Sequence, residues 1–295
     1  MLGQQLLNAL MLGSVYSALA VGFTLFFGIF NLINFAHGEI YMLGAFSALW
    51  LYHALSLERL PPLLALLILL LWGMLSAGVL GVVVERTAFR GVRHSPVLML
   101  LLRSVAVSLI LRESIALFVP NGANPHMFPT PFAQTTYVVG STVFTPEKIL
   151  FLGFALAMVI GLHFWIYRTN IGKWIRAGSE DWEAAQMMGV NIGRVSTWVF
   201  FVGSALGGAA GVMTGVTYGS IIYNMGIWAG LKGFTAAVIG GLGHVRGALI
   251  GGYVLAILEV LITGYIPSGS AYRDLFVFVV LVIALAIRNR AGETR

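Results

Sequence analysis

The polar side chains able to do chemistry in this chain gather in two places. In the first, His37 and Glu39 stand two residues apart just behind Asn31 and Asn34, in otherwise apolar surroundings. An imidazole and a carboxyl that close together are the parts of a proton relay, and such groups at membrane depth mark ion paths. The more economical reading is that the four polar residues satisfy backbone freed by a break in a helix. The second place is NIGKWIRAGSEDWEAAQMMGVNIG, Asn170 to Gly193, which holds Lys173, Arg176, Glu180, Asp181 and Glu183 in a protein only 9% charged. Neither place is an enzyme's. No nucleophile is paired with a base, and Gly172-Lys173 runs into Trp174 without the upstream glycine of a P-loop. His163 and His244 are isolated, with no metal-ligand spacing. The absence of cysteine excludes thiolate sites and disulfides. No cofactor or nucleotide site is encoded.

The elements that must position these residues are membrane helices. With 59% hydrophobic residues and several apolar runs near twenty residues long, a polytopic all-α transmembrane bundle is the economical class. It forms one domain, 1–295, whose solvent is lipid. The 36 glycines suit helices that approach closely or break at depth. A net charge of +6 does not point to nucleic acid, because the basic residues sit mostly in short loops, where positive-inside topology accounts for them. The first thirty residues lack a basic leader segment, so the first apolar run is expected to remain as a span.

In chain order, the first span runs from about Leu6 to Phe30, and Ser14, Tyr16, Ser17 and Thr24 give it the look of a pathway-lining helix. The knot from Asn31 to Glu39 is too short to leave the bilayer and reads as a broken-helix junction facing the interior. Further spans end near Leu55, cover Leu63 to Val84, and cover Pro96 to Val119. Arg86, Arg90 and Arg93 lie between the last two and read as cytoplasmic. Arg103 and the adjacent Arg112 and Glu113 should face protein, each other or the interfaces, since an ionisable group at mid-membrane costs roughly 2.5–3.5 kcal/mol. Pro120 to Pro146 is the external loop and a possible landing surface. A fifth span, Lys148 to Tyr167, leads into the charged stretch, where Arg168, Lys173, Arg176 and Arg194 favour the cytoplasm.

Beyond it, Gly203, Gly207, Gly211, Gly215 and Gly219 form a four-residue repeat for close helix packing. Ala229 to Gly243 is short and glycine-rich, with Lys232, Phe234 and Thr235 at its start, and reads as a second broken element. Spans at Ala248 to Tyr265, which carries Glu259, and Leu275 to Ile287 complete the chain, and Arg288, Arg290 and Arg295 place its end inside. Glu259 and the Arg112-Glu113 pair are read as structural or interfacial. Eight clear spans and the short segment make nine, the odd number that an external start and an internal end require; a re-entrant short segment would leave eight and put one end on the other face.

Within Asn170 to Gly193, Ser179 is placed to cap a short helix with Glu180 and Asp181 in its first turn, and Gly189 to stop it in a left-handed conformation. Ala184, Met187 and Met188 fall at i, i+3 and i+4, a small deformable patch on about nine residues, too few to be stable alone. Spacing leaves two readings: an amphipathic helix lying on the membrane face, or a contact for another protein.

Glu183-Ala184-Ala185, then three residues and Gly189, resembles the cytoplasmic loop by which ABC-importer permeases contact their ATPase subunits. NLINFAHGEIYMLGAF (Asn31 to Phe46), KGFTAAVIGGLGHVRGALIGG (Lys232 to Gly252) and YRD (Tyr272 to Asp274) are similar, in order and spacing, to the branched-chain amino acid permease family. The resemblance covers nearly the whole chain. It departs from the family at His244, Arg246 and the terminal IRNRAGETR, and the hydrophobic-proline element after the EAA loop is missing.

The resemblance implies a non-catalytic subunit in the inner membrane: a second homologous permease beside it, two ATPases carrying ATP and Mg below, an external solute-binding protein, and lipid around. Residues 170–193 would be the coupling loop, with Glu180, Asp181, Glu183, Ala184, Ala185, Met188 and Gly189 meeting the ATPase. The translocation pathway would involve Tyr16, Asn31, Asn34, His37, Glu39, Phe234 and Thr235. Branched-chain amino acids are the family default; urea, short amides and small carboxylates are carried by relatives. An ion-coupled secondary transporter using His37 and Glu39 is the rival from another class.

Overall fold

The computed structural model describes residues 2–31, 33–92, 95–132, 137–139, 142–266 and 269–292. Its long helices are α1 (Leu2–Phe30), α2 (Ala36–Ala54), α3 (Pro62–Val84), α4 (Val97–Phe118), α5 (Pro146–Arg168), α8 (Ile192–Tyr218), α10 (Val245–Tyr265) and α11 (Arg273–Gly292). Two short helices, α6 (Asn170–Glu180) and α7 (Trp182–Met187), lie between α5 and α8, and α9 (Met225–Gly240) precedes α10. Four short strands, β1 (His126–Met127), β2 (Tyr137–Val139), β3 (Thr142–Phe144) and β4 (Ser220–Ile221), form two antiparallel ladders, β1 with β4 and β2 with β3. Proline opens α3 and α5 at the first turn, where its missing N–H costs nothing. Five of the helices, α1, α3, α5, α8 and α10, have the length and uninterrupted apolar character to cross a bilayer.

Helix α8 is the centre, packed against α1, α2 and α3. Its glycines, Gly208 as well as the four-residue repeat, are what let it be there. A Cβ on Gly208 would run into the Gly73 carbonyl of α3, and one on Gly44 of α2 would strike the Gly208 Cα, so three backbones meet at one point. Gly203, Gly207, Gly211 and Gly215 sit on this buried ridge; Gly219 does not, because with φ +66° it caps the helix. Side chains rather than backbone cover α5, whose Ile160, Phe164 and Leu156 are exposed on the outer face.

Several expectations are corrected. Ser14 and Ser17 serve packing in this conformation: Ser14 Oγ donates to the Leu10 carbonyl and meets Tyr253 Oη at 3.2 Å, and Ser17 Oγ donates to the Leu249 carbonyl, so both tie α1 to α10. Helix α9 starts at Met225, not Ala229, and runs unbroken, which puts Lys232, Phe234 and Thr235 in its buried middle. In the loop after α4, β1 pairs with β4 and so ties the loop to the end of α8. Residues 133–136 and 140–141 of that loop, Arg93 and Arg295 lie outside the described residues, as do the side chains of Arg288 and Arg290. Arg112 and Glu113 pair with each other, Nη2 to Oε1 at 2.8 Å, and Arg103 is exposed.

Gly208→Leu is expected to force α3 and α8 apart and cost at least about 3 kcal/mol, seen as a lower thermal midpoint in detergent. Gly153→Leu, where an added side chain meets open space, leaves that midpoint unchanged.

Candidate functional site

The charged stretch folds as two helices hinged at one residue. Thr169 Oγ1 accepts from the Gly172 N–H at 3.1 Å and opens α6, whose Ile171, Trp174 and Ile175 fall at i, i+3 and i+4 and pack against the bundle. Asp181 is extended, with φ −155°, and breaks the helix. Its Oδ1 accepts from the Glu183 and Ala184 N–H groups at 2.9 and 3.0 Å, opening α7. The indole of Trp182 folds back onto Gly178, filling the place a side chain there would take. Gly189, at φ +87°, ends α7 as expected, with the Val190 N–H donating to the Ala185 carbonyl. Asn191 Oδ1 accepts from the Arg194 N–H and opens α8.

The cap is therefore not Ser179, which lies inside α6 and donates to the Arg176 carbonyl. Asp181 is the cap itself and not a first-turn residue, and Glu180 closes the preceding helix; the Glu180 side chain lies outside the described residues. An aspartate two and three residues ahead of free N–H groups is the stronger acceptor, and Gly178 makes the bend possible. A six-residue helix is not self-sustaining; here caps at both ends and the burial of Ala185 hold it. The face that remains outward carries Asp181, Glu183, Ala184, Met187 and Met188, the two methionines 88% and 86% exposed. Large apolar side chains so exposed beside carboxylates are the form of an unoccupied contact surface.

Beneath this loop, at the junction of α3 and α8, lies a group that no sequence motif singles out. Glu85 is fully buried, receiving Arg90 Nη2 at 2.8 Å and Ser196 Oγ at 2.8 Å, while Arg90 also donates to Thr197 Oγ1 at 2.7 Å. One carboxylate thus joins the end of α3 to the start of α8, the helix that follows α7.

The polar knot is packed, not open. Asn31 is exposed in a left-handed conformation, φ +48°. Asn34 Oδ1 accepts from the Ala36 N–H at 3.2 Å, which is the helix-break role. His37 is enclosed by Phe23 and Phe26, whose rings meet it edge-on at 5.0 and 5.1 Å, and by Gly22 and Gly207. Neither of its ring nitrogens has a partner. Glu39 accepts from Ser108 Oγ at 3.3 Å through Oε1, and its Oε2 has none. Buried groups left unpaired are costly and need a reason beyond packing.

A buried cluster of charge centres on Glu259. Tyr16 Oη donates to Glu259 Oε2 at 2.7 Å, Lys232 Nζ stands 3.3 Å from Oε1, and Arg273 Nε pairs with the same oxygen. Lys232 also holds Asp274 at 2.9 Å. Lys232 and Glu259 are only 6% and 3% exposed, so α1, α9, α10 and α11 are joined by two positive and two negative groups that balance. Arg273 and Glu259 are also on the wall of a cavity of about 290 Å³, with Gln5, Asn8, Lys148 and Thr217. Of the residues assigned to a pathway from sequence, Tyr16 belongs to this cluster. Phe234 stacks edge-on against Phe23 at 6.0 Å, beside the buried Thr235, and so approaches His37 instead.

Residues 5–285 match the family described as branched-chain amino acid transport system / permease component. This chain belongs to that family. It is 34% identical over 299 residues to the high-affinity branched-chain amino acid transport system permease protein LivH of Escherichia coli (strain K12), covering 96% of this chain and 92% of that one. It is 33% identical over 290 residues to the corresponding protein BraD of Pseudomonas aeruginosa, covering 97% and 93%. A probable branched-chain amino acid transport permease of Methanocaldococcus jannaschii is 30% identical over 302 residues, covering 97% and 89%. The permease is thus a multi-pass protein of the plasma membrane. The YRD block carried part of the resemblance, and its Arg273 and Asp274 are the residues that close the charge cluster on α11.

Glu259→Gln leaves Lys232 facing a neutral amide in a buried site. It is expected to destabilise the permease by about 3 kcal/mol. In thermal melts of detergent-purified protein, the double variant with Lys232→Gln should recover part of that loss, and simple additivity would show the pair to be uncoupled.

Proposed function

We propose that this permease is the transmembrane subunit of an ATP-driven importer for branched-chain or related amino acids. Its partners would be a second homologous permease, two ABC ATPases that bind the ATP and Mg, and an external protein that delivers the solute. The observation that carries the reading is α7: a short, doubly capped helix that leaves Met187 and Met188 uncovered by the rest of the chain, beside Asp181 and Glu183. The whole of 1–295 acts as one transmembrane domain with 170–193 as its coupling loop, and Glu180, Asp181, Glu183, Ala184, Ala185, Met188 and Gly189 form or position the contact.

Nine crossings suit the order of the helices. The first half of α1 borders the cavity with Glu259 and its last residues border α6, so α1 runs from one end of the bundle to the other. From there α2, α3, α4, α5, α8, α9, α10 and α11 alternate in direction. Helix α9 counts as a crossing because it leads from β4, at the end of α8, to Gly240, which packs on Gly247 at the start of α10. Arg86, Arg90, Lys173 and Arg176 share the α7 end, which the positive-inside rule makes cytoplasmic.

The cavity beside Glu259 then faces outside and is where solute enters. From it the pathway passes Tyr16, Phe234 and Thr235 toward His37, Asn34, Glu39 and Asn31, and Phe23 and Phe26 close it in the conformation described. ATP binding would draw α7 and, through α8, the Glu85 junction, so that helices repack around the closed level as alternating access requires.

The test is transport in proteoliposomes with candidate ATPases and the receptor. Glu183→Arg combined with Met187→Asp changes only exposed side chains, so the thermal midpoint stays as it was while solute uptake driven by ATP falls at least about tenfold, a loss of roughly 1.4 kcal/mol in coupling. Full uptake in that variant, or uptake by the permease alone under a proton gradient, would refute the reading.

A further inference from the structure

At the cytoplasmic end, bordering α1, α5, α6 and α10, lies a second cavity of about 520 Å³ that the transport reading does not use. Leu25, Val159, Leu162, Ile166 and Leu249 give it apolar walls. Its rim is cationic. Arg176 and Arg246 converge on the single ring of Tyr167, their guanidinium carbons 5.1 and 5.3 Å from its centroid. Arg176 gives one N–H to the Ile166 carbonyl, and no carboxylate among the described side chains pairs with either arginine. His163 and His244 stand on the same rim and are exposed.

Two guanidinium groups repel each other, and a tyrosine ring between them offsets only part of that repulsion. With four further donors on Arg176 and five on Arg246, the geometry lacks an anion with several acceptor oxygens. The walls ask for something else, a hydrocarbon chain. One side of the cavity is made by α5, whose Ile160 and Phe164 are apolar and exposed on the outer surface of the chain. A soluble anion would satisfy the rim and leave the walls wet; an apolar solute would leave the rim unpaired.

We propose that this cavity holds an anionic phospholipid, its phosphate between Arg176 and Arg246 and an acyl chain along Leu162, Ile166 and Leu249. Basic pockets between helices on the cytoplasmic side are suited to such headgroups. Ile175 and Ser179 of α6 line the same space, so the lipid touches the helix that leads into α7. The site stands independently of which solute is carried.

The experiment is native mass spectrometry of the purified permease released from nanodiscs of equal phosphatidylglycerol and phosphatidylcholine. The expected result is selective retention of phosphatidylglycerol, reduced roughly tenfold by Arg176→Gln with Arg246→Gln. Arg246→Gln alone, which removes an exposed side chain without a hydrogen bond to the fold, should give an intermediate loss at unchanged thermal midpoint. Arg86→Gln, in the other basic turn at this end, should have no effect. Equal retention of the two lipids, an equal loss from Arg86→Gln, or displacement of the lipid by inorganic phosphate would each overturn the proposal: the first shows no site, the second a diffuse surface charge, the third a soluble anion's site.

Discussion

Backbone-to-backbone contact at Gly44, Gly73 and Gly208 is the constraint on which the rest of the permease depends. In lipid the tails are as apolar as any leucine, so helices gain little by hiding side chains from their solvent. What holds α2, α3 and α8 together is dispersion between surfaces close enough to touch, and only residues without side chains allow that approach. The same closeness encloses His37 between Gly22 and Gly207, so packing sets the environment of this buried imidazole. A larger residue on the ridge would therefore change both the fold and whatever passes through it.

Charge is the second binding agent, and it works at the two ends. Glu85 with Arg90, Ser196 and Thr197 fastens α3 to α8 on one side; Glu259 with Tyr16, Lys232 and Arg273 fastens four helices on the other. Buried charges in a membrane are tolerated when they balance one another, as the two positive and two negative groups around Glu259 do. Ion pairs of this kind can exchange partners without breaking a helix. Lys232 already divides itself between Glu259 and Asp274, which gives α11 a connection able to shift.

Much of the helical framework was legible because lipid forces long apolar runs, and most helix limits fall within a few residues of those runs. Helix α6 was harder to see. Its Ile171, Trp174 and Ile175 follow helical spacing, but Lys173 and Arg176 between them raise the charge density to that of a loop. Ser179 and Asp181 both have the chemistry of a cap, and the choice between them rests on Gly178 admitting the Trp182 indole, a contact no residue pattern announces. Glu259 looked like an isolated carboxylate since its partners are 243 residues upstream at Tyr16 and 27 at Lys232. The Arg273 and Asp274 that complete its surroundings were visible only as part of a family block.

The thioethers at the tip of α7 have a chemical consequence. Met187 and Met188 are the residues most open to peroxide at that end, and oxidation to the sulfoxide replaces a soft apolar surface with a polar, chiral one. A partner seated on them would shield both sulfurs. If α7 is covered in an assembly, a subunit without its companion would be the one to lose this soft surface to oxidation.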